Sequence, residues 1–445
     1  MDSNTIQYYD DHGADIAKRY EAVGSPVSQY FSQAFLPGST VLEIGTGSGR
    51  DLAALHASGL DVLGVEPSKT LRDAATHFHP ELVGKLREGA LPELHLGKAT
   101  FDGVLCSAVL MHIAPHLLFD SALQIRNSLK VNGRLLLSLP LARGDTDHTH
   151  RDPHSRLFYP YTPDQIETLF TRLGFVLISR WDTDDTLQRT GNSWFTQLYE
   201  YRAQTGVRPL DQIEAVLNRD RKEATYKLAL FRALADIAQV NERSAVWHPN
   251  RHVGVPLALL ANRWLRYYWP IVASPKFIPQ SNAEGSGGKC MKFRAALLGL
   301  IDEYRDQGTH GGFTAWYLEN QANTMRPQTI LKQRKALKDI ADTIVAGPVT
   351  YAGGALDSGP IFGYDPSSKH VLVPAAIWRE LVLMGHWISE AVVLRWANLS
   401  AKFGAKNGVL GLANGCPEIL WWITPFLFHC GAATTCGTCF KQTPR

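Results

Sequence analysis

Sulfur is scarce in this sequence: 445 residues hold six cysteines and five methionines. So few cysteines in so long a chain do not make a disulfide scaffold, and a reducing cytoplasm is the expected setting. No apolar run is long enough to span a bilayer. "ILWWITPFLFHC" is too short and contains Pro425, and "VPLALLANRWLRYYWPIV" carries Arg263 and Arg266 at the helical spacing of an amphipathic helix in water. The start, "MDSNTIQYYDDHG", lacks the basic and apolar regions of a secretory signal. No membrane partner is expected. Nor is there a repeat of fixed period, which sets solenoids and propellers aside.

What is present divides unevenly. Up to Gln204 the chain has 18 Lys and Arg against 24 Asp and Glu, and the remainder has 27 against 18. The basic second half leaves nucleic acid or another polyanion open as a partner. The length argues for two or three domains. We expect them at residues 1–204, residues 205–407 and a poorly ordered tail at 408–445.

The first domain alternates strand and helix patterns. Ala14 to Ala34 reads as helical, and Pro37-Gly38 turns into a strand from Thr40 to Ile44. Helices from Arg50 to Ala57, Lys69 to Phe78 and Leu117 to Leu129 alternate with "DVLGVE", "FDGVLCSAVL" and "NGRLLLSLP". Thr162, Pro163 and Gly174 mark the cap, first turn and stop of another helix. "FVLISRWD" and "SWFTQLYEYR" read as closing strands. The pattern is that of an α/β fold with a mostly parallel, Rossmann-like, doubly wound sheet. Beyond Thr205 long helical stretches dominate, "PQSNAEGSGG" is a loop, "GPVTYAGGALDSGPIFGYDPSSKHVLVP" has turn chemistry and short strand-like pieces, and a mainly α-helical domain is expected.

The stretch "VLEIGTGSGRDLAAL" carries Gly45, Gly47 and Gly49 where a strand runs into a helix. On its own it suits either a dinucleotide pyrophosphate or S-adenosylmethionine, since both use a carboxylate such as Glu66 to hold ribose hydroxyls. Glu43 before the turn suits the cationic end of the methyl donor. Asp51 would oppose a pyrophosphate, no phosphate-loop cation follows the glycines, and no Tyr-x-x-x-Lys hydride relay is present.

Together "VLEIGTGSGRD", "VLGVEPS", "FDGVLCSAVLMHI" and "LKVNGRLLLSLP" resemble the ordered motifs of class I S-adenosylmethionine-dependent methyltransferases, over roughly Tyr8 to Tyr201. The resemblance implies that Glu43, Gly45, Gly47 and Gly49 line the methionine and ribose portion, and that Glu66 accepts the ribose hydroxyls. Pro67 and Ser68 would edge the adenine, with Gly89, Ala90 and Leu91 beside its amino group. The family often has an acidic residue where Ala90 stands, so adenine recognition would use backbone. Ser107 and His112 would face the methyl group, His112 as the candidate base. Tyr8, Tyr9 and Tyr20 would close over the donor.

The acceptor is less legible. The Asn/Asp-Pro-Pro-Tyr/Phe motif of DNA amino-methyltransferases and the Pro-Cys motif of cytosine C5 enzymes are both missing, which favours a small molecule. "ARGDTDHTHRDPHSRLFYPYT" follows the fifth strand and is expected to cover the acceptor. Methyl transfer from a sulfonium needs no metal, so its histidines and aspartates are not assigned one. Arg180, Trp181, Arg189 and Trp194 are candidates to stack a base or hold an acidic acceptor.

In the second half, "ATYKLALFRALADIAQ" and "VLVPAAIWRELVLMGHWISEAVVLRWANLSAKF" resemble the helical region before the catalytic module of HNH-type endonucleases. No His–Asn–His constellation follows, so no nuclease activity is expected. The alternative function this implies is a nucleic-acid-binding, defence-type protein whose HNH module is lost. Cys416, Cys430, Cys436 and Cys439 with His429 make only an irregular zinc pattern.

Overall fold

The computed structural model describes residues 1–185, 192–202, 208–284, 290–356 and 359–406. The chain divides into two compact units between Arg208 and Pro209.

The first unit is built on β1 (Thr40–Ile44), β2 (Asp61–Val65), β3 (Leu86–Arg87), β4 (Phe101–Ser107), β5 (Leu129–Ala142), β6 (Phe175–Asp184) and β7 (Ser193–Tyr201). They form one sheet in the order β3-β2-β1-β4-β5-β7-β6. The first five are parallel, while β7 runs antiparallel to both β5 and β6. β1 is buried from Val41 to Ile44, as a central parallel strand covered on both faces must be. Val41, Leu105 and Leu136 of the sheet pack with Leu52 and Leu55 of a covering helix.

The helices of this unit are α1 (Ser3–Glu21), α2 (Phe31–Ala34), α3 (Arg50–Ala57), α4 (Lys69–Phe78), α5 (Pro115–Ser128) and α6 (Pro163–Arg172). The α3 and α4 bounds are those the sequence suggests. α6 carries a full capping box, Thr162 with Gln165, which holds its first turn. The single helix expected from Ala14 to Ala34 is instead two. Asp2 caps α1 early by accepting from the Thr5 N–H at 3.0 Å, and Gly24-Ser25-Pro26 separates it from α2.

The second unit contains α7 (Pro209–Asn218), α8 (Tyr226–Val240), α9 (Leu257–Ala273), α10 (Arg294–Ile301), α11 (Thr309–Ala322), α12 (Pro327–Ile344) and α13 (Ala375–Lys406). Its core holds five fully buried tryptophans: Trp264, Trp269, Trp316, Trp378 and Trp396. Helix dominates, as expected, but α11 escapes the sequence reading because Gly311-Gly312 reads as a turn. The strand-like pieces expected within residues 347–374 are β10 (Gly363–Asp365) and β11 (His370–Pro374), which join the unexpected β8 (Val246–His248) and β9 (His252–Pro256) in a four-stranded antiparallel sheet in the order β10-β11-β9-β8. Among the described residues no helix is long and apolar enough to cross a membrane. The tail cysteines, His429 and the expected disorder of 408–445 lie outside the described residues, as does Arg189.

Candidate active site

A cleft opens at the carboxyl ends of β1, β2 and β4, where open parallel sheets place their ligands. Its floor is the turn after β1. Gly45 has φ +75°, and a Cβ there would lie 2.4 Å from Cγ2 of Val109, so only glycine fits. The Gly47 N–H donates to Oε2 of Glu66 at 3.0 Å, and the Ser68 N–H donates to Oε1, also at 3.0 Å. Burial nevertheless outweighs these bonds and pushes the Glu66 carboxyl up to about 7. Glu43, 3% exposed, is raised well above the usual carboxylate range by burial and then by the charge of Asp51. Its Oε2 is buried without a hydrogen-bond partner among the described residues. A buried orphan acceptor beside a second raised carboxyl is costly unless a ligand supplies donors or positive charge.

Pro67, Gly89, Ala90, Leu91, Ser107 and His112 line the same cleft. Gly49 and Ser68 are not among the residues lining it. Gly49 starts α3 at φ +89°, and a Cβ there would lie 3.0 Å from Cβ of Ala75 on α4, so its smallness serves packing. Ser68 is fully buried and caps α4, accepting from the Leu71 N–H and donating to Asp10 at 2.8 Å.

The other end of the cleft is assembled from distant segments. α1 contributes Tyr9 and Tyr20, and the loop after β5 contributes Arg143, Arg156 and Phe158. Asp185 and Trp194 come from the ends of β6 and β7, with the Trp194 Nε1–H donating to Asp185 at 2.9 Å. His112 is 1% exposed. Its Nδ1 lies 2.5 Å from the Leu157 carbonyl, which can only accept, so Nδ1 carries the proton and Nε2 keeps a lone pair. The Tyr9 hydroxyl sits 3.4 Å from that Nε2. Burial first, then the charges of Arg156 and Arg143, lowers the His112 pKa to about 4, so the ring is neutral at pH 7.

The histidine-rich loop is held by its own aspartates. Asp147 accepts from the backbone of Thr149 and Arg151, Asp152 from the backbone of His154 and Arg156, and Asp145 pairs with Arg143. His154 packs on Tyr8 and His150 on Tyr159. Trp181 stacks on Tyr30 at 4.2 Å, and Arg180 pairs with Asp182. Sequence reasoning found this loop but missed Arg143, Arg156 and Phe158 as cleft residues. Their one sequence signal is position after the fifth strand.

Residues 16–180 match the family described as "Methyltransferase domain". These residues form a class I S-adenosylmethionine-dependent methyltransferase domain. The chain is 39% identical over 112 residues to protein-L-isoaspartate O-methyltransferase 2 of Rhodopseudomonas palustris (strain HaA2). That stretch is 22% of this chain and 49% of the relative, so the chain spans about half the length of the curated protein it matches. A solved structure of the Burkholderia thailandensis 1,6-didemethyltoxoflavin-N1-methyltransferase, bound to 1,6-didemethyltoxoflavin and S-adenosylhomocysteine, shares 18% identity at a TM-score of 0.38. It covers 45% of this chain and 88% of its own. A methyltransferase of Methanosarcina mazei shares 17% at 0.34, covering 41% and 100%. Residues 206–414 match "Domain of unknown function (DUF8808)", which gives the second unit no link to HNH nucleases.

The cleft of the methyltransferase domain fits its co-substrate. Glu43 presents an orphan acceptor, the Gly45 turn leaves room that a Cβ would fill, and Glu66 offers two oxygens with lone pairs to spare.

Proposed function

We propose that the first unit moves the methyl group of S-adenosylmethionine onto a small-molecule acceptor. The observation that carries this reading is one cleft holding donor-side carboxylates, Glu43 and Glu66, at one end and the neutral, lone-pair-bearing Nε2 of His112 at the other. In this reading Glu66 holds the ribose hydroxyls, and Glu43 with the turn of Gly45 and Gly47 holds the methionine portion. Pro67, Gly89, Ala90 and Leu91 flank the adenine, and Ser107 and His112 stand at the methyl group. The donor brings an activated methyl when bound, so alignment supplies much of the rate and His112 removes the acceptor's proton.

A small acceptor is favoured by the roof. α1 lies over the cleft, secured by the Arg151 guanidinium on Asp2 at 2.8 Å and by the Leu157 N–H donating to Thr5 at 3.0 Å. Low cysteine content supports a cytoplasmic setting. Incubating the full chain with methyl-labelled donor and a cell extract split into small-molecule, nucleic-acid and protein fractions tests the acceptor class. Label in the small-molecule fraction is expected; label confined to protein, as an isoaspartyl acceptor would give, or to nucleic acid would overturn it.

One observation favours nucleic acid as a partner of the second unit. α12 exposes Arg334, Lys335 and Lys338 on one face, and none forms an ion pair among the described residues. We infer that this face engages phosphates. Retention of the full chain on DNA should fall steeply with salt, and Arg334→Glu with Lys338→Glu should abolish it; indifference to both would exclude it.

A further inference from the structure

We propose that the acceptor is a planar ring compound whose methyl-accepting atom is an acidic O–H or N–H, as in an electron-poor phenol or azole. The proposal rests on the methyltransferase reading above and names its acceptor class.

The walls of the acceptor end are flat. The Arg143 guanidinium lies 3.4 Å over the Phe158 ring, and Trp194 and Tyr9 line the same space. Planar groups lining a pocket hold a rigid ring at little conformational cost and leave a flexible chain poorly held. Arg143 is a half-buried cation, its side chain 10% exposed, with Asp152 Oδ2 3.8 Å from its Nη2. Asp145 takes its Nε and Nη2, and its Nη1 makes no hydrogen bond among the described residues. That remaining edge suits an oxygen or nitrogen carrying negative charge.

The base sets the acidity. His112 lines the cleft, and the 3.4 Å contact of its Nε2 with the Tyr9 hydroxyl is long enough to yield to a closer partner. Tyr9 and Tyr20 from α1, Arg143, Arg156 and Asp152 from the loop after β5 are the charged or titratable groups around it. Arg156 is tied to Asp152 through Nε at 2.9 Å and Nη2 at 2.6 Å. A neutral base held well below the usual imidazole range by burial and two guanidinium groups takes a proton only from a group whose anion is stabilised beside it, and an aliphatic alcohol is too weak an acid for that. The base can take one from an acidic ring O–H or N–H whose anion Arg143 receives.

Charge balance points the same way. Joining an anionic nucleophile to a sulfonium cancels two charges, which a dry site favours, whereas a neutral amine only relocates one. In the step, the ring proton passes to His112 Nε2 and the freed lone pair forms the bond to the methyl carbon. The carbon–sulfur bond breaks with its electrons on sulfur, giving S-adenosylhomocysteine, and the proton leaves His112 for water.

The test uses the full chain saturated with S-adenosylhomocysteine and 4-nitrophenol as the probe, since its ionised form absorbs visible light. The visible band should grow on binding at a pH where the free probe is mostly protonated. Arg143→Met should weaken probe binding at least tenfold, and Arg143→Lys less. His112→Asn should slow methyl transfer from S-adenosylmethionine to the probe at least a hundredfold. S-adenosylhomocysteine affinity should hold in all three variants, which shows that they fold. An unchanged band, equal probe binding by Arg143→Met, or faster methylation of cyclohexylamine than of the probe would overturn the acceptor class. Failure of the wild type to bind S-adenosylhomocysteine would instead remove the methyltransferase reading, and the proposal with it.

Discussion

Glu66 and His112 titrate in opposite senses across nearly the same range. The Glu66 carboxyl is raised from 4.5 to about 7, so the ligand-free fold holds a proton there that the unfolded chain releases. Its contribution to stability therefore falls as pH rises from about 4.5 to 7. His112 is lowered from 6.5 to about 4, so the unfolded chain takes up the extra proton, and stability falls as pH drops from 6.5 to 4. The two slopes partly cancel. In His112→Asn the cancellation goes, and urea unfolding should show stability of the ligand-free first unit declining more steeply from pH 5 to 7 than in the wild type. Hydroxyl donors from a ribose favour the ionised Glu66. Binding of S-adenosylhomocysteine near pH 6 should thus release a proton, seen as a dependence of calorimetric heat on buffer ionisation enthalpy, and affinity should weaken as pH falls below about 7. At this scale Gly45 and Glu66 were legible because a turn and a strand-end carboxylate form a local pattern. Spacing cannot tell a glycine that faces a ligand from one that faces a helix, so the packing of Gly49 on α4 and the capping of α4 by Ser68 come from the fold.

Among the elements, the loop-closing ion pair of the second unit carries a sharp expectation. Glu284 is 0% exposed, accepts from Arg294 Nε at 3.0 Å, and also accepts from the backbone N–H groups of Gln280 and Met291. Glu284→Ala leaves a buried guanidinium and two buried N–H groups without their acceptor, and should cost about 3–5 kcal/mol in chemical denaturation. A loss below about 1 kcal/mol would show that the carboxylate is replaceable by water. Of the helices that the sequence places well, α8 and α13 have long apolar faces and α4 a clear cap in Ser68. The strands β8 and β9 are three and five residues long and include His, Gly and Pro, so no alternation could build up. The acceptor-side residues Arg143, Arg156 and Phe158 were hidden for a related reason. They sit in an irregular loop whose fold is set by aspartate side chains rather than by periodicity.

For the molecule as a whole, each unit has its own core, and the α/β architecture of the first was legible while only the helical character of the second was. Hydrogen exchange should place the protection given by S-adenosylhomocysteine at residues 44–50, 64–68 and 88–91, around the cleft. Stronger protection in the tryptophan-rich core of the second unit than at these segments would contradict the placement. The central claim is that the cleft at the ends of β1, β2 and β4 binds the methyl donor through Glu66. A calorimetric titration of the full chain with S-adenosylhomocysteine at pH 8, beside the Glu66→Ala variant, tests it most directly. One equivalent bound by the wild type and at least tenfold weaker binding by the variant is the predicted result. No binding, or equal binding by both, would contradict it.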